Sequence, residues 1–435
     1  MSFRTSLSGL NASAADLSVK GNNIANASTN GFKQSRTEFA SVFATSFTGG
    51  SNTPGSGVRV SSISQQYSQG IVESTSNSLD LAISKDGFFV LDDGGTTAYT
   101  RAGAFITDKD GFVVDSSGRQ LQVFPASYVG GVFNSFNTGS LSSLQLSTTD
   151  SAPQATTSIT PVLNLNADEV IPGGYTAIPP AAINPTEFSR TSADTFNHTT
   201  STEVYDAQGK SYQASMYYVA SDPSANEWQV HTFVGNDPLT LNGTADSFFT
   251  MTFDGLGAIS GVSTATGGAG TVSDVNFDAL TIVGSGSAPL DLSFDYTGTS
   301  QFGSDFAVNG LNQDGFASGR LSGIDIDGDG SVSATFTNGR ATILGQVALA
   351  KFPNNNGLRQ LGDTSWAQTF EAGDRVIGAP GTASFGNIRS NALEASNVDI
   401  ATELVGLITA QRNFQANAQA ISTESEIQTA IMNIR

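Results

Sequence analysis

Apolar residues recur at alternating steps of four and three positions at both ends of the chain. The N-terminal seam runs through Phe3, Leu7, Leu10, Ala14, Leu17, Gly21 and Ile24, and the C-terminal seam runs through Ile400, Leu404, Leu407, Gln411, Phe414, Ala418 and Ile421. This spacing predicts one amphipathic helix of the coiled-coil type at each end. Ser396 or Asn397 is the predicted N-cap of the second helix, with Asp399 near its positive end.

Two arrangements of these helices remain open. In one, they pair with each other inside a single domain, either parallel or antiparallel. In the other, they pack between copies of the chain. Each seam is narrower than the apolar face of an ordinary core helix. A narrow seam favours packing between copies, because a helix of this composition is marginal in water without a partner.

The middle of the chain shows the period-two alternation of β-strands, interrupted by turn signals. Val332, Ala334 and Phe336 alternate into the dipeptide Asn338–Gly339, a strong signal for a two-residue hairpin. The stretch "SKDGFFVL" reads as a turn followed by a buried strand. Residues 147–290 have edges rich in Ser, Thr, Gly and Pro, which predict a separate β domain.

The predicted fold is therefore multidomain and mainly β, with α-helical coiled-coil termini. Its domains are nested and discontinuous, in the order helix, β, inserted β, β, helix. The predicted domains are residues 1–30 with 396–435 for the terminal helices, 31–70 with 358–395 for a hinge or linker region, 71–146 with 291–357 for the core β domain, and 147–290 for the inserted domain.

The stretch "GNNIANASTNGFK", residues 21–33, follows the first seam and is crowded with asparagine and glycine. These residues tolerate left-handed backbone and bond to nearby backbone groups. They end a helix and predict an ordered but pliant joint. The predicted hinge residues are Gly21, Asn22, Asn23, Asn26, Asn30 and Gly31.

Composition narrows the classes of function. The 435 residues include no cysteine, which excludes disulfides, thiolate metal sites and cysteine nucleophiles. The net charge of −20 argues against binding to nucleic acid. No apolar run is long enough for a membrane span. The N-terminus lacks the apolar region of a standard secretory signal, so export would need another route.

Local motifs give little support for chemistry. Asp325, Asp327 and Asp329 match the first half of a calcium loop, but Phe336 stands where a bidentate glutamate is needed. A hairpin tip is the preferred interpretation, and weak calcium binding stays open. His198 and His231 are the only histidines and do not suggest a zinc site. We expect no enzymatic activity and no cofactor.

One arginine, in "TRAGAFITDKDG", has two interpretations. Arg101 stands beside small residues near a strand end. A solvated arginine is preferred there. An interface ion pair is the minority interpretation, because basic residues are rare in this chain.

Both ends of the chain resemble the bacterial flagellar axial proteins, which form the rod, the hook and hook-associated parts. The resemblance rests on "SGLNASAADLSVKGNNIANASTNGFK" and on the segment from "SNVDIATELVGL" to the C-terminus. "DGFFVL", "TRAGAF" and "TDKDGFVVDSSGRQL" are similar to the core β domain of hook and distal rod proteins. The length favours the hook type, because distal rod proteins are much shorter and lack the large insertion.

The resemblance implies a structural subunit of the hook that polymerises into a helical tube. Such a tube is a universal joint that transmits torque from rod to filament. It further implies export through the flagellar type III apparatus without a cleaved signal peptide, to the exterior of the cell. The implied partners are other copies, the hook cap protein, the distal rod protein and the hook–filament junction protein. The alternatives are a distal rod-type protein, a secreted β-rich adhesin and a calcium-binding surface module.

Overall fold

The terminal segments form the two long helices of the protein, and strands fill most of the chain between them. The first helix, α1, is Phe3–Ala25, and the second, α2, is Ile400–Met432. Neither of these helices, within the described residues, has an apolar stretch long enough to cross a membrane. The computed structural model describes residues 3–42, 55–129, 132–146, 150–175, 177–178, 182–183, 187–241, 246–264, 269–282, 286–382 and 385–432.

The strands are numbered in chain order. The first half comprises β1 Ser35–Ser41, β2 Val58–Gln65, β3 Val72–Ser74, β4 Leu81–Ser84, β5 Phe88–Asp93, β6 Thr96–Thr100, β7 Ile106–Thr107, β8 Val113–Val114, β9 Gln120–Val129, β10 Val132–Phe136, β11 Ser142–Ser143, β12 Ser158–Asn166, β13 Ala177–Ile178, β14 Ala182–Ile183, β15 His198–Tyr205, β16 Ser211–Asp222 and β17 Glu227–Val234. The second half comprises β18 Asp237–Pro238, β19 Phe248–Phe253, β20 Ile259–Thr264, β21 Ala269–Gly270, β22 Val275–Asn276, β23 Ser293–Phe294, β24 Ser300–Phe302, β25 Ala307–Gln313, β26 Leu321–Ile326, β27 Ser331–Phe336, β28 Ala341–Val347, β29 Leu349–Lys351, β30 Arg359–Gly362, β31 Ser365–Ala367, β32 Val376–Gly378, β33 Asn387–Ser390 and β34 Ala392–Glu394.

One compact unit contains both helices and a large antiparallel sheet. It comprises the described residues of Met1–Thr148, Ser322–Thr335 and Ala341–Arg435. The main path of its sheet is β26-β27-β28-β9-β5-β6-β31-β30. Phe88 and Phe89 are both buried, and they belong to two different apolar clusters. Successive strand residues point to opposite faces, so β5 is covered on both sides and reads as a continuous apolar run.

We call the strands of this unit other than β1 and β2 the β body. The strands β1 and β2 form a separate antiparallel hairpin, in register from Ser35 opposite Gln65 to Ser41 opposite Val58. This hairpin packs against α1, where the Val58 N–H donates to Ser8 Oγ at 3.2 Å.

The second compact unit comprises the described residues of Thr149–Leu321 and Phe336–Arg340. It holds an antiparallel sheet in the order β15-β16-β17-β19-β20-β21 and a five-stranded sheet built on β12. Alternating residues of β16 and β17, including Met216, Tyr218 and Trp228, are buried in one shared apolar cluster. Strands β16 and β17 therefore show the period-two alternation that the sequence predicts for the middle of the chain.

The end of the inserted domain differs from the predicted residue 290. Strands β23, β24 and β25 follow that residue, yet each of them pairs with β12. Leu292, Phe294 and Tyr296 are buried in the same cluster as β16 and β17. The unit therefore continues to Leu321. A Gly/Ser-rich stretch predicts a loop, but it does not show whether that loop lies inside a domain or at its boundary. That depends on which strands pair, and pairing between strands far apart in sequence leaves no local signal.

The predicted hinge or linker region also differs from the structure. Residues 358–395 carry strands β30 to β34, of which β31 pairs with β6, β32 with β29 and β33 with β4. This segment is part of the β body. Residues 31–70 contain the hairpin β1–β2. Strands β30 to β34 have only three or four residues each, and most of their partners lie far away in the sequence, so no local signal distinguishes residues 358–395 from a linker.

A hairpin is present at Asn338–Gly339, but its loop has three residues rather than the predicted two, because the Phe336 N–H donates to the Arg340 carbonyl oxygen. Strands β27 and β28 pair across it, and Gly339 has a φ of +78°, which a residue with a side chain rarely adopts. The aspartate run lies at the tip between β26 and β27. The Asp329 carboxylate accepts from the N–H and Oγ of Ser331 at 3.0 and 2.9 Å. Among the described residues, no three His, Asp or Glu side chains are grouped to hold a metal ion.

Candidate assembly surface on the terminal helices

The fully buried residues of helix α1 are mostly small or polar, and none of them belongs to the predicted apolar seam. Its buried residues are Ser6, Ala12, Ser13, Val19 and Asn23. At 100° per residue these are centred on a different side of the helix from Phe3 and Leu7, although Ser6 lies on the same line as the seam residue Ile24. Of the predicted seam residues, Phe3 is 46% exposed and Leu7 is 39% exposed. Leu10, Leu17 and Ile24 are half-buried.

The two helices form an antiparallel pair. Lys20 Nζ lies 3.2 Å from Glu403 Oε2 near one end of the pair. Toward the other end, Gly9 faces the Asn417 side chain so closely that an added Cβ would lie 2.5 Å from its Oδ1. Of the two arrangements left open by the sequence, pairing within the chain is therefore present. Leu10, Leu17 and Ile24 are half-buried in the single chain, so the part of the α1 seam that remains available for packing between copies is Phe3 and Leu7.

Helix α2 is divided between a half-buried side and an exposed apolar side. The seam residues Leu407, Phe414 and Ile421 are half-buried along the side that carries the buried Glu403 and Ala410.

The exposed side of α2 begins with Ile400, which is 50% exposed, and Leu404, which is 45% exposed. Ile408, one turn further on, is 47% exposed. By the antiparallel count, the last turns of α2 extend past Phe3, and Ile427 and Ile431 there are 51% and 64% exposed.

The exposed apolar residues of α1 and α2 can be buried against another helix, and this is the interaction that they support. We call Phe3, Leu7, Ile400, Leu404 and Ile408 the exposed stripe. Burying a leucine or phenylalanine side chain contributes about 1.5–3 kcal/mol. Acid–base or nucleophilic chemistry would need a pocket with reactive groups, and the stripe is made of hydrocarbon side chains.

The predicted hinge residues do not all follow the first helix. Gly21, Asn22 and Asn23 lie in the last turns of α1, because the helix continues to Ala25. Asn23 is fully buried, and its amide bonds the backbone of Ser35 in both directions, at 2.8 and 2.9 Å. Asn26 and Asn30 lie in the turns that follow. Whether the segment bends remains a prediction, and its buried bonds argue for rigidity.

Gly31 occupies a position that only glycine can fill without strain. Its φ is +70°, and a Cβ there would lie 2.4 Å from the backbone N of Ala102. Its N–H donates to the Glu394 carbonyl oxygen at 2.7 Å. The backbone that follows α1 therefore packs directly against the turn after β6 in the β body.

The preferred interpretation of Arg101 as a solvated residue is wrong. Arg101 is 4% exposed, and its Nη1 donates to Glu394 Oε2 at 3.1 Å. The guanidinium also lies 5.5 Å from the centre of the Phe88 ring. The carboxylate partner is 293 residues away along the chain, so no local pattern could reveal it.

The two histidines lie apart from the helices, in the second unit. His231 is 3% exposed and stacks on Phe188 at 3.9 Å. His198 lies on the Phe306 ring at 4.3 Å and bonds Glu169 at 3.1 Å. Both are aromatic packing residues.

Families of flagellar proteins match most of the chain. The family described as flagella basal body rod protein matches residues 3–33, and the flagellar basal body rod FlgEFG protein C-terminal family matches residues 389–434. The flagellar hook protein FlgE/F/G D1 domain matches residues 82–160. The flagellar basal body protein FlaE D2 domain matches residues 164–316, close to the second compact unit.

Individual proteins match over the full length. The flagellar hook protein FlgE of Salmonella typhimurium is 36% identical over 437 residues, covering 100% of both chains. That of Borreliella burgdorferi is 30% identical over 459 residues, covering 100% of this chain and 99% of its own. The crystal structure of Helicobacter pylori FlgE2 has a similar fold, with a TM-score of 0.52 and 16% identity over 74% of this chain and 100% of that one. With both ends, the β body and the inserted unit all matched in order, the chain belongs to the flagellar hook protein family.

Proposed function

We propose that copies of this hook subunit polymerise into a flexible helical tube that acts as a universal joint and transmits torque from rod to filament. The observation that supports the proposal is the exposed stripe on α1 and α2. Five large apolar side chains that recur at helical spacing lie 39–50% exposed in the single chain. A row of apolar side chains left exposed at helical spacing on each of two helices is a candidate interaction site.

A helical polymer needs contacts that do not close on themselves. An interface between two different surfaces of the same chain generates an open helix of copies when the rotation does not close. The α1 part and the α2 part of the stripe are two such surfaces. The last turns of α2, which extend past Phe3, add a further segment that a neighbouring copy could cover.

The proposal also covers how the subunit is exported and which proteins it contacts. We expect export by the flagellar type III apparatus without a cleaved signal peptide, and contact with the hook cap protein, the distal rod protein and the hook–filament junction protein. These expectations follow from the resemblance of both ends to the axial family. We propose no enzymatic activity, cofactor, nucleic-acid binding or membrane insertion.

Other functions have less support. A distal rod-type protein is disfavoured, because the full-length relatives are named hook proteins and the chain carries the large second unit. An adhesin or a calcium-binding surface module would not need the exposed stripe. The Asp325–Asp329 run forms a hairpin tip, which leaves calcium binding without a grouped ligand set among the described residues.

Replacing one residue of the stripe tests the proposal. Leu404 is 45% exposed in the single chain, so Leu404→Ala should change subunit stability by only about 0.5 kcal/mol. If Leu404 is buried between copies, the same change removes roughly 2–5 kcal/mol of contact free energy. We expect Leu404→Ala to abolish or strongly reduce tubes in electron micrographs, with an unchanged melting temperature of the monomer.

The matched control is Asn413→Ala, at an exposed polar position of the same helix away from the stripe. This variant should form tubes like the unmodified chain. Normal tubes from Leu404→Ala, or a monomer melting temperature lowered by several degrees, would contradict the proposed role of the stripe. Straight, rigid tubes from the unmodified chain would argue against a flexible joint.

A further inference from the structure

A buried charge cluster lies where the chain passes between the helix pair and the β body. Glu394, at the end of β34, is 1% exposed, and Lys33, just after α1, is also 1% exposed. Lys33 Nζ donates to Glu394 Oε1 at 2.6 Å and to the Ser68 carbonyl oxygen at 2.8 Å. Arg101 donates to Glu394 Oε2. One carboxylate thus holds two buried cations.

The same carboxylate also fixes backbone. The Gly70 N–H donates to Glu394 Oε1 at 2.9 Å. Gly70 itself has no room for a side chain, because a Cβ there would lie 2.0 Å from the Ala395 carbonyl oxygen. Glu394 therefore joins three segments, namely the exit of α1, the strand connection before β3 and the turn after β6.

Asn397 makes a second set of bonds beside the first. Its Oδ1 accepts from the Gln34 N–H at 2.8 Å, and its Nδ2 donates to the carbonyl oxygens of Gln66 and Ser68 at 2.8 and 3.2 Å. Together with the paired bonds of Asn23, these contacts fasten both chain crossings between the helices and the strands. We call Lys33, Glu394, Arg101 and Asn397 the clasp.

We propose that Glu394 is a positioning residue that closes the clasp, so that the helix pair leaves the β body at one fixed angle. In this view residues 26–34 are a rigid attachment rather than a pliant joint. Bending of a polymer then has to be absorbed by contacts between copies. The inference concerns the single subunit, and only its last test rests on the proposed function.

The electrostatics explain why Glu394 has the central role. Burial lowers the pKa of Lys33, the Glu394 carboxylate opposes that effect, and Arg101 lowers the pKa of Lys33 further. Removing the carboxylate leaves two buried cations facing each other without a counter-charge. A buried charge that loses its partner is strongly unfavourable, so the three segments should separate.

Hydrogen exchange of the unmodified monomer gives the first test. The amides of Gly31, Gln34, Ser35 and Gly70 all donate within or beside the clasp. We expect them to exchange on the order of 100-fold more slowly than unstructured amides. Exchange of these four amides at unprotected rates, with the β body protected, would show a pliant joint and overturn the proposal.

Substitution of the carboxylate gives the second test. Glu394→Gln should speed exchange of the four amides at least about 10-fold, while the amides of Leu91 and Leu121 in the β body stay protected. The matched control is Glu73→Gln, because Glu73 is exposed on the neighbouring strand β3, opposite Leu393. A merely structural role predicts equal loss of protection throughout the unit. If Glu394→Gln does not fold, the exchange pattern of the unmodified monomer still shows whether residues 26–34 are rigid or pliant.

Polymer shape gives the third test. Tubes of Glu394→Gln should differ in curvature or regularity from tubes of Glu73→Gln, and identical tubes would contradict a positioning role. Failure of the unmodified chain to form tubes would count against the proposed function alone, because the exchange tests use the monomer.

Discussion

His231 shows how a single buried polar residue can make the second unit sensitive to acid. It lies on β17, is 3% exposed, and stacks on Phe188 with the rings 5° from parallel. Burial lowers the pKa of His231 from 6.5 to about 3. The neutral imidazole is therefore the form that the folded unit accommodates.

The sign of the pH dependence follows from that pKa. Between pH 6.5 and about pH 3 the unfolded chain binds a proton at His231 and the folded unit does not. The contribution of His231 to stability is complete above pH 6.5 and is lost as the pH falls, by up to ~1.4 kcal/mol per pH unit. His231→Phe keeps the ring stack and cannot take up a proton. We expect a shallower loss of stability in acid, measured by urea unfolding at several pH values.

The control for this prediction is His198→Phe. Burial also lowers the pKa of His198, but its Glu169 partner opposes the effect, so its contribution to the acid sensitivity should be smaller. Aspartates throughout the chain add their own acid sensitivity to every variant, so the comparison of slopes isolates the histidine. Equal slopes for His231→Phe and the unmodified chain would show that the imidazole is protonated in the fold.

At the same scale, the residues of the clasp could not be predicted from the sequence. Lys33 and Glu394 are separated by 361 positions, and each looks like an ordinary surface charge in its own neighbourhood. Only the pairing of β3 with β34 brings the glutamate beside the chain that leaves α1. Asn23 bonds Ser35, only 12 residues away, but the bonds of Asn397 join segments more than 300 residues apart and have no local signal.

At the scale of elements, the start of α2 is set by Asp399. Its Oδ1 accepts from the Thr402 N–H at 2.9 Å, and this bond lowers the pKa of Asp399. The predicted caps, Ser396 and Asn397, lie too early in the chain. Ser396 Oγ accepts instead from the Val398 N–H, and Asn397 belongs to the clasp.

The cap can be tested by a pair of substitutions. Asp399→Ala removes the acceptor and should fray the first turn of α2, seen as faster exchange of the Thr402 amide. Asp399→Asn keeps a side-chain oxygen and should preserve the turn, because asparagine caps about as well as aspartate. Equal exchange in both variants would mean that packing against α1, rather than the cap, holds the start of the helix.

Helices and hairpins were predictable because their signals are local. The seam spacing located both helices, and Asn338–Gly339 located a turn whose backbone needs a positive φ. The side of α1 that packs inside the chain was not predictable in this way. It includes Ser6, Ala12 and Ser13, whose small side chains permit close approach but give little apolar signal. The apolar seam of α1 is exposed at Phe3 and Leu7 and only half-buried at Leu10, Leu17 and Ile24.

At the scale of the whole molecule, the chain leaves the first unit, builds the second and returns at a nearby point. The Ser151 N–H donates to the Gly319 carbonyl oxygen at 2.7 Å, so the two ends of this segment are adjacent. The core of the second unit, including Phe294 and Tyr296, is a cluster of its own. These observations support independent folding of the two units, with the later boundary that the strand pairing requires.

Excision tests this boundary. Replacing residues 151–319 by a short Gly/Ser bridge joins two adjacent points and should add little closure cost. We expect the shortened chain to keep the melting temperature of the β body within about 5 °C, since about 1 kcal/mol of change corresponds to a few degrees. It should still polymerise, because α1 and α2 are untouched, and its tubes should be straighter in electron micrographs because the contacts of the second unit are gone.

The control excision removes residues 147–290, the boundary that the sequence suggested. It deletes β12 and leaves β23, β24 and β25 without the strand that they pair with. Leu292, Phe294 and Tyr296, all at most 2% exposed in the intact chain, would then face water, and the product should aggregate. A stable monomer from the control would place β23–β25 in the first unit. Unfolding of the 151–319 excision would mean that the two units share one hydrophobic interior.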